Sequence, residues 1–130
     1  MNAAAPLKLM IVDDSNIMRR KIERSHQCAR LSFVGSAGNG KQAVELFRRT
    51  EPDVVTMDIT MPEMDGIECV EQLVAIKPEV LILVISALAD KATAIEAMKR
   101  GANGFLCKPF TDRQLTDALD ELLRGAGSWR

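Results

Sequence analysis

Acidic, hydroxyl and basic side chains each lie at the end of a short apolar run of the sequence. Asp13 and Asp14 end the first run, Asp58 the third, Ser86 the fourth and Lys108 the fifth. Three converging carboxylates would repel one another unless a cation shared their site, and oxygen ligands without nearby His or Cys select a hard ion, most simply Mg²⁺. If these residues meet, they predict a Mg²⁺ site beside a lysine and a hydroxyl.

Such a site suits phosphoryl transfer. Mg²⁺, a lysine and a hydroxyl hold a phosphoryl group by positioning it and neutralising the charge on its oxygens. One carboxylate can then be the nucleophile, because aspartyl phosphates are a known covalent strategy and a metal-bound carboxylate needs no general base. Asp58 is the candidate nucleophile, since it ends the middle run of the five and precedes the Pro- and Gly-punctuated loop 59–66.

The elements that must position these residues follow from the apolar pattern. The runs begin 23 to 26 residues apart, at Leu7–Val12, Leu31–Val34, Val54–Met57, Val80–Ile85 and Gly104–Cys107. Each interval holds apolar residues three or four apart, as in the fourth predicted helical face of Ile95, Met98 and Ala102. The pattern predicts a single-domain α/β fold, an open, doubly wound (βα)5 parallel sheet with ligands beyond the carboxyl ends of its strands.

Composition bounds the class of protein. The 130 residues are 47% hydrophobic and 27% charged, with a net charge of −1, which predicts one globular domain over 1–130 with a core at about 7–124 and no nucleic-acid partner. The longest nearly unbroken apolar stretch, Val80–Ala89, is half of the ~20 residues that span a bilayer, so no membrane segment is expected. The start of the chain is unlike a secretory signal, and the three scattered cysteines predict reduced thiols in a cytoplasmic protein.

Five separated signals, in order, carry a family resemblance. They are Asp13-Asp14, Asp58 with Met61-Pro62 and Asp65-Gly66 after it, Ser86-Ala87, Gly101-Ala102 and Lys108-Pro109. Over about residues 7–124 the chain resembles a response-regulator receiver domain. The resemblance implies the flavodoxin-like (CheY-like) fold with strand order 2-1-3-4-5.

The resemblance also implies roles at the acidic site. Asp58 would accept a phosphoryl group from a histidine kinase. Asp14, Asp58 and the backbone carbonyl of Thr60 would ligate Mg²⁺, and Asp13 would hold a metal-bound water. The protein would then be a signalling switch that catalyses only its own phosphorylation and dephosphorylation.

The remaining implied roles concern the switch and its target. Lys108 would pair with the phosphoryl oxygens, and the Ser86 hydroxyl would move to bond the phosphoryl group. Phe105 matches the aromatic residue whose rotamer follows that movement. The face formed by the fourth helix, fifth strand and fifth helix would meet the target, around Lys91, Ile95, Lys99, Phe105 and Arg113.

Several functions remain open at this stage. A stand-alone, CheY-like regulator of chemotaxis acting on the flagellar motor is favoured, because the short sequence after the predicted fifth helix leads us to expect no output domain. A phosphorelay shuttle or phosphate sink, or the receiver portion of a longer regulator such as a chemotaxis methylesterase, are alternatives. A Mg²⁺-dependent aspartyl-phosphate phosphatase is an alternative of another class, although Thr60 stands where such enzymes usually carry a second acid.

Two further patterns have ordinary structural interpretations. Gly35–Lys41 has the Gly-x4-Gly-Lys spacing of a phosphate-binding loop, but Gln42 follows where such loops place a hydroxyl. We interpret this segment as a glycine-rich turn into the second helix. The basic run Arg19-Arg20-Lys21 predicts a solvated helix face.

Overall fold

The computed structural model describes residues 6–25, 31–59, 66–87 and 90–128. Strands and helices alternate along the chain: β1 (Leu7–Val12), α1 (Asn16–Ser25), β2 (Leu31–Ala37), α2 (Gly40–Thr50), β3 (Val54–Asp58), α3 (Gly66–Ile76), β4 (Leu81–Ala87), α4 (Lys91–Lys99), β5 (Gly104–Lys108) and α5 (Asp112–Ser128). The predicted strands are confirmed, and all begin within one residue of the expected position.

The five strands form one parallel sheet in the order β2-β1-β3-β4-β5, which confirms the predicted topology. β3 lies in the middle, and all of its residues are buried. Its neighbours β1 and β4 are nearly as buried, which explains why these runs lack polar alternation. Because β1, β3 and β4 are parallel and adjacent in this order, their carboxyl ends lie side by side.

Each face of the sheet has its own apolar core. On one face Leu9 and Ile11 pack with residues of α1 and α5, and on the other Met10 and Val12 pack with residues of α2, α3 and α4. This division follows from the period of two in a strand, which sends successive side chains to opposite faces. Asp13 and Asp58 continue the α1/α5 side of β1 and β3, so two carboxylates end adjacent strands on the same face.

The predicted face of the fourth helix is only partly right: Met98 is half-buried and packs against the core as expected, but Ile95 does not. Ile95 is 46% exposed, and the residues of α4 that are buried are Ala94 and Ala97. Ala102 is buried, but it lies beyond the end of α4 at Lys99. The small alanine side chains allow the helix to approach the sheet closely, and this leaves the larger Ile95 side chain on the outside.

β2 extends three residues beyond its predicted end, to Ala37. This edge strand exposes Ser32 and Ser36, and its register against β1 shifts between Leu9 and Met10. Exposed polar residues and a register shift are common in edge strands, because they discourage pairing with other chains. Polar residues on an edge strand obscure the apolar pattern from which its length was predicted.

A polar network anchors the start of β3 at the opposite end of the sheet. Lys77 Nζ donates to the carbonyls of Glu51 and Pro52 and lies 3.1 Å from Asp53 Oδ1. Asp53 Oδ2 accepts from the backbone N–H of Lys8 at 2.8 Å. Burial opposes ionisation of Asp53, but these two donors outweigh it, and its pKa lies below the ordinary value.

Within the described ranges, no helix is both long and apolar enough to cross a membrane.

Candidate functional site

The three predicted acidic residues meet at the carboxyl end of the sheet. Asp13, Asp14 and Asp58 each offer a carboxylate oxygen, and these oxygens lie within 4.8 Å of one another. The pairing of Val12 with Met57 explains this, because it brings the residues that follow in β1 and β3 side by side. Asp13 and Asp58 are 1% exposed, whereas Asp14 is exposed at the rim.

Asp13 is fixed by its surroundings. Its backbone N–H donates to the Ala37 carbonyl at 3.0 Å, and its Oδ1 accepts from the Ser15 N–H at 2.9 Å. Its other oxygen, Oδ2, is buried and has no hydrogen-bond partner among the described residues. Burial raises the pKa of Asp13, and the charges of Asp58 and Asp14 raise it further, against the opposing effects of the Ser15 N–H and the Lys108 cation.

Lys108 approaches the cluster from β5. Its Nζ lies 3.3 Å from Asp58 Oδ2, and 27% of its side chain is exposed. The register of β4 and β5 pairs Ala87 with Lys108, which brings the lysine to the same end of the sheet as the acids. Lys108 is joined to Pro109 by a cis peptide bond, and Phe110 then turns into the core.

Ser86 ends the buried part of β4, the strand next to β3. The register pairs Asp58 with Ile85, so Ser86 stands one residue further toward the carboxyl end. Its Oγ is fully buried and has no hydrogen-bond partner in the described part of the chain. A buried hydroxyl without a partner costs free energy, and it is therefore available to a group that enters the site.

These features fit a divalent cation and a phosphoryl group. The cluster offers oxygen ligands only, which suits Mg²⁺, and Asp13 Oδ2 is a buried acceptor that lacks a donor or cation. Lys108 supplies a cation 3.3 Å from Asp58 Oδ2, and the Ser86 hydroxyl lies at the end of the strand next to β3. The arrangement can therefore accept a compact anion whose charge is shared between a metal ion and an ammonium group.

Comparison with known proteins agrees with this geometry. A sequence model of the response regulator receiver domain matches residues 9–120. The chain belongs to the response regulator receiver family. The chemotaxis protein CheY of Thermotoga maritima is 41% identical to this receiver over 115 residues, which are 88% of this chain and 96% of that protein.

Two solved structures extend the comparison. The response regulator domain of Thermotoga maritima CheB is 32% identical to this receiver, with a TM-score of 0.81 over 94% of this chain and 97% of that chain. The CheX-CheY-BeF3-Mg²⁺ complex from Borrelia burgdorferi contains a chain that is 26% identical, with a TM-score of 0.84 over 92% of this chain and 90% of that one.

The other predicted residues of the receiver site are placed as follows. Thr60 lies outside the described residues, as do Met61, Pro62 and Asp65. Phe105 is 38% exposed on β5 and pairs in register with Val84. The residue that pairs with Ser86 is Cys107, which the sequence interpretation did not connect with the site. On the predicted target face, Lys91, Ile95, Lys99, Phe105 and Arg113 are all exposed.

The basic run of α1 is not a solvated face, and this prediction is wrong. Arg19 is half-buried, and its Nη1 donates to the Asp13 carbonyl. Lys21 is half-buried too; its Nζ donates to the Phe110 carbonyl and lies 4.7 Å from the centre of the Phe110 ring. Only Arg20 is exposed. Local charge pattern gives no signal for these contacts, since Lys21 and Phe110 are 89 residues apart.

The glycine-rich segment before α2 has the geometry of a capped turn. Asn39 is the N-cap of α2, and its side chain accepts from the Gln42 N–H at 2.9 Å. The Gln42 side chain in turn accepts from the Gly38 N–H at 3.1 Å. Two backbone donors of this turn are therefore engaged by side chains, which supports the structural interpretation of the motif over a nucleotide-binding one.

Proposed function

We propose that this receiver is a phosphorylation switch in which Asp58 accepts a phosphoryl group from a histidine kinase in a Mg²⁺-dependent reaction. One observation carries the proposal: the buried Asp58 carboxylate shares its site with Asp13 and Asp14, within 4.8 Å, and with the Lys108 ammonium at 3.3 Å. A structural ion pair alone would need only one acid. The proposal includes two further points: residues 1–130 form a single receiver domain, and this domain functions in the cytoplasm.

The residues that would hold Mg²⁺ are Asp14, Asp58 and the backbone carbonyl of Thr60, with Asp13 reaching the ion through a water. The donor chemistry supports this set, because carboxylates and a carbonyl are the ligands of a hard cation. When bound, Mg²⁺ supplies positive charge to the phosphoryl oxygens during transfer. The chain contributes the buried acceptor oxygen of Asp13 and the exposed carboxylate of Asp14 on the solvent side.

In the transfer step, a carboxylate oxygen of Asp58 attacks the phosphorus of a phosphohistidine. A P–O bond forms as the P–N bond breaks, and the leaving imidazole nitrogen takes a proton from solvent. Lys108 faces the oxygens of the transferring group from β5, which lowers the cost of bringing an anion to an acidic site. In the separate dephosphorylation step, water attacks phosphorus and releases a proton to solvent, the P–O bond to Asp58 breaks, and inorganic phosphate leaves.

The signal passes to the surface through Ser86. Its hydroxyl is buried without a described partner, so a phosphoryl oxygen that accepts a hydrogen bond from it stabilises one arrangement of the end of β4 over another. Phe105, on the same side of β5 as the paired Cys107, is the aromatic residue that responds. Because Phe105 has no hydroxyl, its response depends on packing rather than on a hydrogen bond.

The partner surface is the face of α4, β5 and α5, and the proposed pathway is chemotaxis with a flagellar motor switch protein as target. Two observations favour this. The similar protein from Thermotoga maritima is a chemotaxis CheY that this chain matches over nearly its whole length. Ile95 and Phe105 are two of the three exposed large hydrophobic residues in the described chain, and they lie on neighbouring elements with Lys91 and Lys99 nearby in α4.

A second candidate is that this receiver controls a chemotaxis methylesterase. The similarity to the CheB receiver of Thermotoga maritima favours it, since that domain matches 94% of this chain. In that case the α4–β5–α5 face would contact a catalytic domain instead of a motor protein.

Phosphorylation is tested by intact mass after incubation with acetyl phosphate and Mg²⁺. We expect one phosphoryl group on the wild-type protein and none on Asp58→Asn or in the presence of EDTA. Asp117→Asn, in an exposed part of α5, is the matched control and should be phosphorylated normally. An equal adduct on Asp58→Asn, or on wild type in EDTA, would refute the proposal.

The target is tested with the beryllofluoride-activated receiver and a peptide from the flagellar motor switch protein of the same organism. Ile95→Asp should abolish activation-dependent binding, while Ile17→Asp, an equivalent change at an 83% exposed position of α1, should not. If the activated wild-type receiver does not bind this peptide, the result would favour the methylesterase as the target.

A further inference from the structure

The guanidinium group of Arg19 lies between two turns that border the acidic cluster. Nη1 donates to the Asp13 carbonyl at 2.5 Å, and Nη2 donates to the Asn16 side chain. On its other side is the turn before α2, where a Cβ added to Gly38 would lie 3.3 Å from Nη1. Arg19 therefore bonds to the β1–α1 turn and lies against the β2–α2 turn.

The carbonyl that Arg19 contacts belongs to the peptide group between Asp13 and Asp14. Holding this peptide plane restrains the backbone at both Asp13 and Asp14, because the two Cα atoms that carry the carboxylate side chains lie at its two ends. The Asp13 backbone N–H is bonded to Ala37 and its Oδ1 to Ser15, so Arg19 adds the third restraint. Asp13 Oδ2 is left without a described partner, and Asp13 belongs to the acidic cluster.

We propose that Arg19 is a positioning residue that orients Asp13 and Asp14 for Mg²⁺ and thereby sets the affinity of the receiver for the ion. The inference rests on the proposed function of this cluster, and it assigns to α1 a part in forming the metal site. Arg19 acts through the Asp13–Asp14 peptide and needs no contact with the ion itself.

A positioning role and a purely electrostatic role of Arg19 predict opposite effects of its removal on the affinity for Mg²⁺. A cation near the cluster repels Mg²⁺, so removing an arginine that acted only by its charge would tighten Mg²⁺ binding. Removing an arginine that holds the ligands in place weakens binding, as loss of outer partners of metal ligands usually does. Lysine keeps the charge but lacks the planar fork that engages two acceptors at once, so Arg19→Lys separates the two effects.

The experiment compares Arg19→Met and Arg19→Lys with the wild type by calorimetric titration with Mg²⁺. Arg20→Met is the matched control, since it removes the same charge from an exposed neighbouring position. We expect both Arg19 variants to bind Mg²⁺ about tenfold more weakly, with Arg20→Met close to wild type. Binding by Arg19→Met that equals or exceeds the wild-type affinity would overturn the proposal.

A metal-free readout keeps the inference distinct from the proposed function. The Asp14 amide belongs to the peptide group that Arg19 contacts, so its NMR resonance should shift in Arg19→Met and Arg19→Lys without Mg²⁺, and stay in place in Arg20→Met. An unchanged Asp14 resonance in Arg19→Met refutes the role of Arg19. Failure of the wild-type protein to bind Mg²⁺ or accept phosphate refutes the proposed function instead.

Discussion

Gly66 at the start of α3 lies so close to Ile59 that a Cβ added to the glycine would be 2.4 Å from the Ile59 Cα. Ile59 directly follows Asp58, and its N–H donates to the Ile85 carbonyl of β4. The contact is between backbones, so it cannot be relieved by a change of rotamer. The N-terminus of α3 therefore fixes the chain immediately after the candidate phosphoacceptor.

Gly66→Ala should lower the free energy of unfolding by about 1 to 3 kcal/mol, because the added methyl must displace the backbone beside Asp58. It should also weaken Mg²⁺ binding through Asp58. Urea unfolding and Mg²⁺ titration measure the two effects. Gly104→Ala is the control, since its Cβ would meet only side-chain atoms at 3.5 Å, and wild-type behaviour of Gly66→Ala would contradict the account.

Lys108→Met should lower the free energy of unfolding by about 1 to 3 kcal/mol when Mg²⁺ is absent, because the buried Asp58 carboxylate loses the cation 3.3 Å away. Phosphate-dependent binding of the target should be lost as well. Denaturation in EDTA and a binding curve with and without acetyl phosphate provide the measurements. Lys99→Met, on the exposed side of α4, is the control, and equal stability of the two variants would argue against the ion pair.

Asp13→Asn should raise the free energy of unfolding at neutral pH without Mg²⁺. Burial and the neighbouring carboxylates raise the pKa of Asp13 above 3.8, so its ionised form destabilises the folded protein. That cost is absent below pH 3.8, grows as the pH rises through the raised pKa and is constant above it. Asparagine retains Oδ1 as an acceptor for the Ser15 N–H.

Unfolding followed by circular dichroism at several pH values checks this. The advantage of Asp13→Asn should shrink as the pH falls toward 3.8 and should reverse in excess Mg²⁺, which stabilises the wild type more. If Asp13→Asn is less stable than wild type at neutral pH without Mg²⁺, the ionised Asp13 carboxylate does not destabilise the folded protein and the prediction is wrong.

Thr56→Val should raise the free energy of unfolding by about 1 kcal/mol, since the Thr56 hydroxyl is fully buried and has no partner among the described residues. Valine has nearly the same shape and suits a central strand. Thr50→Val is the contrasting variant, because the Thr50 hydroxyl donates to the Leu46 carbonyl at 2.8 Å and its loss should destabilise. Urea unfolding that gives the two changes the same sign would contradict this assignment.

The sheet and the central site residues could be predicted from the sequence for a physical reason. Strands covered on both faces consist of continuous apolar runs, as in β3 and β4, and polar residues at their ends stand out against that background. Because parallel strands share one carboxyl edge, Asp13, Asp58 and Lys108 had to approach one another once the strand order was known.

The parts that were missed depend on side-chain size and on contacts between distant segments. The buried face of α4 is made by Ala94 and Ala97, whose small side chains carry little weight in an apolar pattern next to Ile95. Arg19 and Lys21 look like an ordinary basic surface until the turns that they contact are in place. Gly66 belongs to a motif of the family resemblance, but the sequence does not reveal its contact, since its close neighbour is a backbone atom of Ile59.

The central claim, that Asp58 is the residue phosphorylated, is tested most directly by reductive trapping. Borohydride reduces an aspartyl phosphate to homoserine, and peptide mass spectrometry then locates the altered residue. After acetyl phosphate and Mg²⁺ treatment, homoserine should be found at position 58 and not at positions 13 or 14. Homoserine at position 13 or 14, or a phosphorylated protein without homoserine at 58, would contradict the account.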